Sequence, residues 1–314
     1  MAKDKFVAEI REGEMVASLF QVRQKQLQSF KHKPGVFLSL SLGDRTGELA
    51  ARAWENGEHL ARLVEVGDVV RVEGEATSFQ GKLQLNLRRL TVVTDEDLDI
   101  ADFLPVTPQD RDALWNEIRA AVQEVTDPHC RALLERFFQS PDFRRAFYRA
   151  PAGKRNHQPY IGGLLEHTAG VVRMARAVAA AYPGVNADLL VTGAILHDVG
   201  KIQEYTFERS IDYSDAGRLL GHIVLGVEMV SREIEALPAF PPVLKLKILH
   251  MLTSHHGYYE WQSPKRPKFL EACILHHLDL LDAEIDKFKR AAASAGDSNW
   301  SSWRPELGRF VFTG

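Results

Sequence analysis

Cysteine is almost missing: the 314 residues include only Cys130 and Cys273, far apart and in no paired spacing. Such a chain carries no disulfide framework, and its thiols are expected to stay reduced in the cytoplasm. A charge excess of either sign is lacking as well. Lys and Arg number 39 against 42 Asp and Glu, a net charge of −3, so any basic surface for nucleic acid has to be local. No uncharged stretch approaches the roughly 18 apolar residues of a transmembrane helix. The opening residues, MAKDKFVAEIREGEMV, are charged throughout and lack the apolar centre of a signal peptide. Internal repeats and low-complexity tracts are missing too. These absences point to a cytoplasmic protein with no membrane partner.

A length of 314 residues suits about two domains, and the pattern changes character once. Residues 1–95 read as strands. GVFLSLSLGD alternates Val36, Leu38, Leu40 and Leu42 against small or polar partners, and RTGELAARAW adds a turn and a second strand. GDVVRVEGEATSFQGKLQLNLRRLTVV supplies two more around a Gln80-Gly81 turn, with ENGEHLARLVEV as one short helix before them. Short strands, one interposed helix and Gly-marked turns suggest a small closed Greek-key barrel of the OB type. The acidic stretch TDEDLDIADFLPVTPQD, with two prolines, reads as a linker over 96–108. From 109 to 314 the period is 3.6. Helices are expected near 109–125, 129–138, 162–182, 187–199, 218–237, 241–254 and 269–293, with stops at Pro183-Gly184, Gly200, Pro238 and Gly257. The expected architecture is multidomain: an all-β barrel, then an all-α bundle.

Twelve histidines are present, and nine fall between residues 157 and 277. AILHDVG ends an apolar helical run in His197-Asp198, with Gly200 as the stop. The pair reads either as a polar helix terminus or as two adjacent metal ligands. His167 in GGLLEHTAGVV, His222 in LLGHIVLG, His255 and His256 in LTSHHGYYE, and Asp279 in ILHHLDLLDAE recur on successive helices. Any one of them is more often a satisfied core or surface residue than a ligand. Five such sites in one small domain favour metal. Neutral imidazole and carboxylate suit Mn, Fe, Ni, Co or Zn, and no Cys joins them to make a structural zinc site.

The order His, His-Asp, His, His-His, Asp resembles the signature of the HD phosphohydrolase superfamily. That resemblance implies that His167, His197, Asp198 and Asp279 hold one ion, with the Asp198 carboxylate bridging to a second held by His222 and one or both of His255 and His256. Asp282, one turn beyond Asp279, takes either a ligand or a supporting role. It also implies that Lys201 contacts substrate phosphate, against the plain reading of a solvated helix-terminal lysine. GGLLEHT, HDVGKIQEY, GRLLGHIVLG, SHHGYYEWQSPKRPKFLEA and LHHLDLLDAEI are similar, block by block, to the YhaM family of 3′-5′ exoribonucleases. That family joins an OB-type domain to a C-terminal HD domain. Two departures stand out: Gln262 where the family often has Gly, and His157-Gln158 where it often has two His. Neither touches an implied ligand.

In the barrel, VRQKQLQSFKHK places Arg23, Lys25, Phe30, Lys31 and Lys33 in the connection between the first strands, and SFQGKLQLNLRR adds Phe79, Lys82, Arg88 and Arg89. Cations neutralise phosphates while rings stack on bases, the pattern of sequence-tolerant single-strand binding. Phe37 and Trp54 read as barrel core. The reading that follows is a metal-dependent phosphodiesterase, with Asp198 and Lys201 as catalytic residues. The resemblance implies that it trims single-stranded RNA, with single-stranded DNA as a second substrate, from the 3′ end to nucleoside 5′-monophosphates. Two divalent ions are implied, manganese first, with Fe, Co, Ni or Mg as alternatives. The rival readings are an HD phosphohydrolase of a small nucleotide or cyclic dinucleotide, and a nucleic-acid-binding protein with a vestigial HD domain.

Overall fold

In the computed structural model the described residues are all but 1–2, 31–33, 80, 95–97, 99–101, 155–156, 208–210, 294 and 296–297. The chain forms two compact units, one built mainly from residues 1–106 and the other from 107–207 and 211–314. Among the described residues no helix is long and apolar enough to cross a membrane.

The alternation of Leu38, Leu40 and Leu42 becomes β2 (Val36–Asp44), paired with β1 (Met15–Ser29) and β3 (Gly47–Ala53). Helix α1 (Gly57–Leu63) leads into β4 (Val69–Phe79) and β5 (Lys82–Val93). The strands close in the order β1-β2-β3-β5-β4, with β3 and β5 parallel and the other pairs antiparallel. Phe20, Leu38, Leu40, Leu42, Val70, Val72 and Leu85 fill the interior. This is the partly Greek-key, five-stranded barrel expected of the OB type. Two differences matter. Val22–Ser29 continue β1 and form no connection, with Lys25 opposite Leu40 on β2. The stretch read as a linker also contributes to this unit, because Phe103 packs on Leu19 and Val69. The predicted Gln80-Gly81 turn falls partly outside the described residues, since Gln80 is not among them.

The second unit is helical: α2 (Arg111–Glu124), α3 (Pro128–Phe138), α4 (Pro141–Phe147), α5 (Gly163–Ala181), α6 (Ala187–Leu196), α7 (Lys201–Glu204), α8 (Asp215–Glu235), α9 (Pro242–Ser254) and α10 (Leu270–Ala293). Side chains of Asp110, Asp127, Ser140, Asn186 and Ser214 cap the backbone amides that open α2, α3, α4, α6 and α8. Trp115, Leu133, Phe147, Leu164, Ile195, Val230, Ile248 and Leu275 meet in one core. Helix α6 is apolar on every side and buried from Leu189 to Leu196, which places it at the centre of the bundle. The unit is not wholly α. β6 (Tyr205–Thr206) pairs with β7 (Asp212–Tyr213), and isolated bridges join Trp300 to Phe312 and Arg304 to Arg309.

Candidate metal centre

Five helices deliver the implied ligands to one point. Buried His167 lies on α5, and His197 and Asp198 follow the last turn of central α6. His255 and His256 follow α9, and Asp279 lies on α10. His222 depends on a break. At Gly221 the backbone takes φ 72° and ψ 161°, a conformation open essentially to glycine alone, and α8 restarts at His222. Gly200 lets this element close on α6, since a Cβ there would lie 2.0 Å from the His222 carbonyl.

Asp198 is the hinge of the arrangement. Its Oδ2 lies 3.5 Å from Nε2 of His167 and 3.5 Å from Nε2 of His197. Its Oδ1 lies 3.4 Å from Nε2 of His222 and 3.5 Å from Nε2 of His255. Asp279 Oδ1 completes the first group, 3.3 Å from His167 Nε2 and 3.8 Å from His197 Nε2. Donor atoms of His167, His197, Asp198 and Asp279 lie within 4.8 Å of one another, as do those of His222, His255 and His256.

Every imidazole in these groups uses Nδ1 elsewhere. His197 Nδ1 faces the Ala194 carbonyl at 2.9 Å, His255 that of Leu252 at 2.8 Å, and His256 that of Trp261 at 2.9 Å. His167 Nδ1 faces Asp282 at 2.8 Å and His222 Nδ1 faces Glu204 at 3.1 Å. Acceptors at Nδ1 hold the proton there and turn the Nε2 lone pair inward, the usual support of metal-binding histidine. His222 Nε2, His255 Nε2 and Asp198 Oδ1 are buried with no hydrogen-bond partner. Converging lone pairs without donors repel unless a cation lies among them, so the set fits divalent ions.

The electrostatics agree. Burial opposes ionisation of Asp198, yet Lys201 and the surrounding imidazoles hold its carboxyl well below the usual range. Asp279 is likewise lowered against burial, by the His167 hydrogen bond and neighbouring imidazoles. Burial, with His255 and His222 beside it, brings His256 down to about 3. Burial also opposes charge on His167, but Asp279 and Asp282 outweigh it and push this imidazole up to about 9.

Lys201 is no solvated helix end. It is 7% exposed, and its Nζ lies 2.5 Å from Asp198 Oδ2. Lys201, His255, His256 and Asp279 are among the residues that line a cavity of about 390 Å³. His157, also on the cavity wall, stacks edge-on against His167 at 4.3 Å, and both its ring nitrogens lack partners. Sequence reasoning left out Glu204, which receives the His222 amide at 2.9 Å as well as its ring. In the sequence Glu204 ends HDVGKIQE, six residues past Asp198, at no helical spacing that would mark it as a partner of His222.

The barrel candidates separate into two sets. Arg23 lies against Gly43 and donates to the Phe103 carbonyl, and Lys25 donates to the Ala61, Val64 and Glu65 oxygens at the end of α1. A continued β1 points both at the barrel's own carbonyls. Lys31 and Lys33 lie outside the described residues. Phe79 and Lys82 stand exposed at the β4–β5 tip, and exposed Arg88 and Arg89 face Glu75 and Glu73 at 3.2 and 3.7 Å. Phe37 is core as expected, but Trp54 is 44% exposed, with Phe30 stacked at 6.2 Å. Trp54, Asn86, Arg88 and Arg89 line a cavity of about 480 Å³.

The HD domain family matches residues 164–284, and a family described as an OB-fold nucleic acid binding domain matches 21–93. Curated relatives that carry the name 3′-5′ exoribonuclease YhaM include three from different genera. The one from Listeria innocua serovar 6a is 36% identical over 280 residues, covering 87% of each chain. That from Bacillus subtilis strain 168 is 34% identical over 256 residues, 81% of each chain. That from Geobacillus sp. strain WCH70 is 33% identical over 256 residues, covering 81% of this chain and 78% of its own.

Proposed function

The chain belongs to the YhaM family of 3′-5′ exoribonucleases, and from that premise we propose how its own residues carry out metal-dependent removal of nucleotides from the 3′ end of single-stranded RNA. One observation carries the reading: the two oxygens of Asp198 face two different pairs of imidazole nitrogens. We assign His167, His197, Asp198 and Asp279 to one ion, and His222, His255 and His256 to a second that shares Asp198. The imidazoles suit iron, cobalt or nickel better than magnesium, the carboxylates of Asp198 and Asp279 also admit manganese, and manganese is our first choice. Such ions, when bound, supply Lewis acidity that ionises water near neutral pH and offsets the charge of the scissile phosphate.

The protein's part is positional. Asp282 and Glu204 fix the His167 and His222 rings through their Nδ1 atoms. Lys201 stays charged because Asp198 and Asp279 outweigh its burial, and it meets a substrate phosphate from the cavity wall. The products are nucleoside 5′-monophosphates, and single-stranded DNA is a second substrate. The barrel holds the strand upstream through Trp54, Phe79, Lys82, Arg88 and Arg89, with rings for bases and cations for phosphates. The test is purified protein with manganese on a 3′-tailed RNA and on small cyclic and linear nucleotides. Stepwise shortening from the 3′ end with 5′-monophosphate release is expected. Turnover of small nucleotides alone would replace this reading with that of a nucleotide phosphohydrolase.

A further inference from the structure

The cavity beside the ligand groups is also lined by side chains with no assigned role in metal binding. These include Trp261, Glu306 and Lys287, and the cavity's volume of about 390 Å³ is near the low end of small-molecule pockets, room for one nucleotide. Trp261 ends a short 3-10 turn, Tyr259–Trp261, followed by Gln262 in the left-handed region at φ 64°. Its ring is about half exposed and rests edge-on against Tyr258 at 4.9 Å. Its carbonyl faces His256 Nδ1 at 2.9 Å, so the indole stands at a fixed offset from the second ligand group.

Glu306 arrives from elsewhere in the chain. It sits in the turn closed by Gly308 N donating to Arg304 O at 2.8 Å, which Leu307 anchors by packing with Ala291 and Val311. This turn lies beyond residues 164–284, the extent of the HD match. Glu306 has no ion-pair or hydrogen-bond partner among the described residues, and Lys287, its neighbour on the wall, is engaged with Glu284 at 2.7 Å. An unpaired carboxylate repels phosphate. It accepts hydrogen bonds from hydroxyls, and an acidic residue receiving a ribose 2′-hydroxyl is a recurrent means of nucleotide recognition.

We propose that this cavity seats the 3′-terminal nucleoside, with Trp261 as the platform for its base and Glu306 as the acceptor for its ribose hydroxyls. The inference rests on the exoribonuclease reading. It assigns to Glu306 the choice of ribose over deoxyribose, since the 2′-hydroxyl is what separates the two at a given site. It also predicts that the identity of the terminal base matters little, because every base offers a face to stack.

Three oligoribonucleotides identical except at the 3′-terminal residue test it: ribose, 2′-deoxyribose, and abasic ribose. Wild-type kcat/KM is expected to fall roughly tenfold on the deoxy end and roughly tenfold on the abasic end. Glu306→Gln, which retains an acceptor oxygen, should keep part of the ribose preference, while Glu306→Ala should lose the ribose preference and keep the base preference. Trp261→Ala, or Trp261→Leu if alanine does not fold, should do the reverse, and Trp261→Phe should retain most of the base preference. Each ratio is independent of the fraction of active enzyme. Metal content equal to wild type in the Trp261 variants excludes an indirect effect through His256. Preferences unchanged in the variants overturn the assignment while leaving the exoribonuclease reading intact. Failure of the wild type to shorten any of the three would overturn that reading instead.

Discussion

A buried carboxylate beside a buried ammonium makes Asp198 and Lys201 interdependent. Removing one partner of such a pair strands the other charge and costs about 3–5 kcal/mol. Asp198→Ala is therefore expected to lower activity with manganese on the order of a thousandfold or more and to destabilise the metal-free protein through Lys201. Adding Lys201→Met should restore most of the stability and none of the activity, as urea unfolding and RNA cleavage would report. Near-wild-type turnover of Asp198→Ala would end the metal assignment. His167 gives a pH dependence with a definite sign. Its folded value is raised from 6.5 to about 9, so in the metal-free protein it adds stability that is full below 6.5 and lost as pH rises through 9. A ligand must be neutral to bind, so manganese binding at pH 7 should release about one proton. Affinity should climb about tenfold per pH unit and level off above about 9. Calorimetry in buffers of different ionisation enthalpy measures the proton count, and a count of zero would contradict the role given to His167. In the barrel, Arg23→Met and Lys25→Met should each cost about 1–2 kcal/mol by stranding backbone carbonyls, and should leave RNA affinity unchanged.

Elements with a clear period were legible, and those without one were not. Helices α5, α8, α9 and α10 follow apolar residues at helical spacing into capped or Gly-stopped ends, so their bounds were readable to within a few residues. The seven residues of α4 make fewer than two turns, too few for a period to show. The second half of β1 was read as a connection because Arg23–Ser29 are polar on both faces except for Leu27, which erases strand alternation. The same split governs the site. The ligand groups stand out as residue types in order along the chain. Their supports show less: Asp282 is marked only by lying one turn past Asp279, and Glu204 is an ordinary surface-type acid until folding brings it to the His222 Nδ1 atom. Trp54 shows the converse error, since an aromatic at a strand end carries no mark of which side it faces. Gly221 is where element geometry and ligand placement meet. Gly221→Ala is expected to cost about 1–3 kcal/mol, the price of a side chain in this backbone region. It should also turn His222 away and deplete the second ion in preference to the first. Melting temperature and metal content read the two effects separately, and unchanged values for both would show that the helix break is incidental.

At the scale of the whole chain, a net charge of −3 means that RNA affinity has to come from placed cations and not from a general field. Among the described candidates of the barrel, Lys82, Arg88 and Arg89 remain exposed on β5, while Arg23 and Lys25 are spent on the fold. Each unit has its own buried core, so residues 107–314 are expected to fold without the barrel. Division at residue 95 would remove the barrel strands and leave Phe103 without Leu19 and Val69, so the cut belongs after Val106. The shortened protein keeps all the assigned ligands and the cavity, and it should cleave a dinucleotide or a chromogenic phosphodiester at close to the full-length rate. Its hold on a roughly 20-nucleotide RNA should weaken. Each phosphate contact on a single strand adds about 0.7 to the slope of log affinity against log salt, so three lost cations should flatten that slope by about 2. The triple variant Lys82→Ala, Arg88→Ala, Arg89→Ala in the full chain should give the same flattening without truncation. Binding measured at several salt concentrations decides it. A slope that stays the same in both proteins would mean that the strand is held by the helical unit alone.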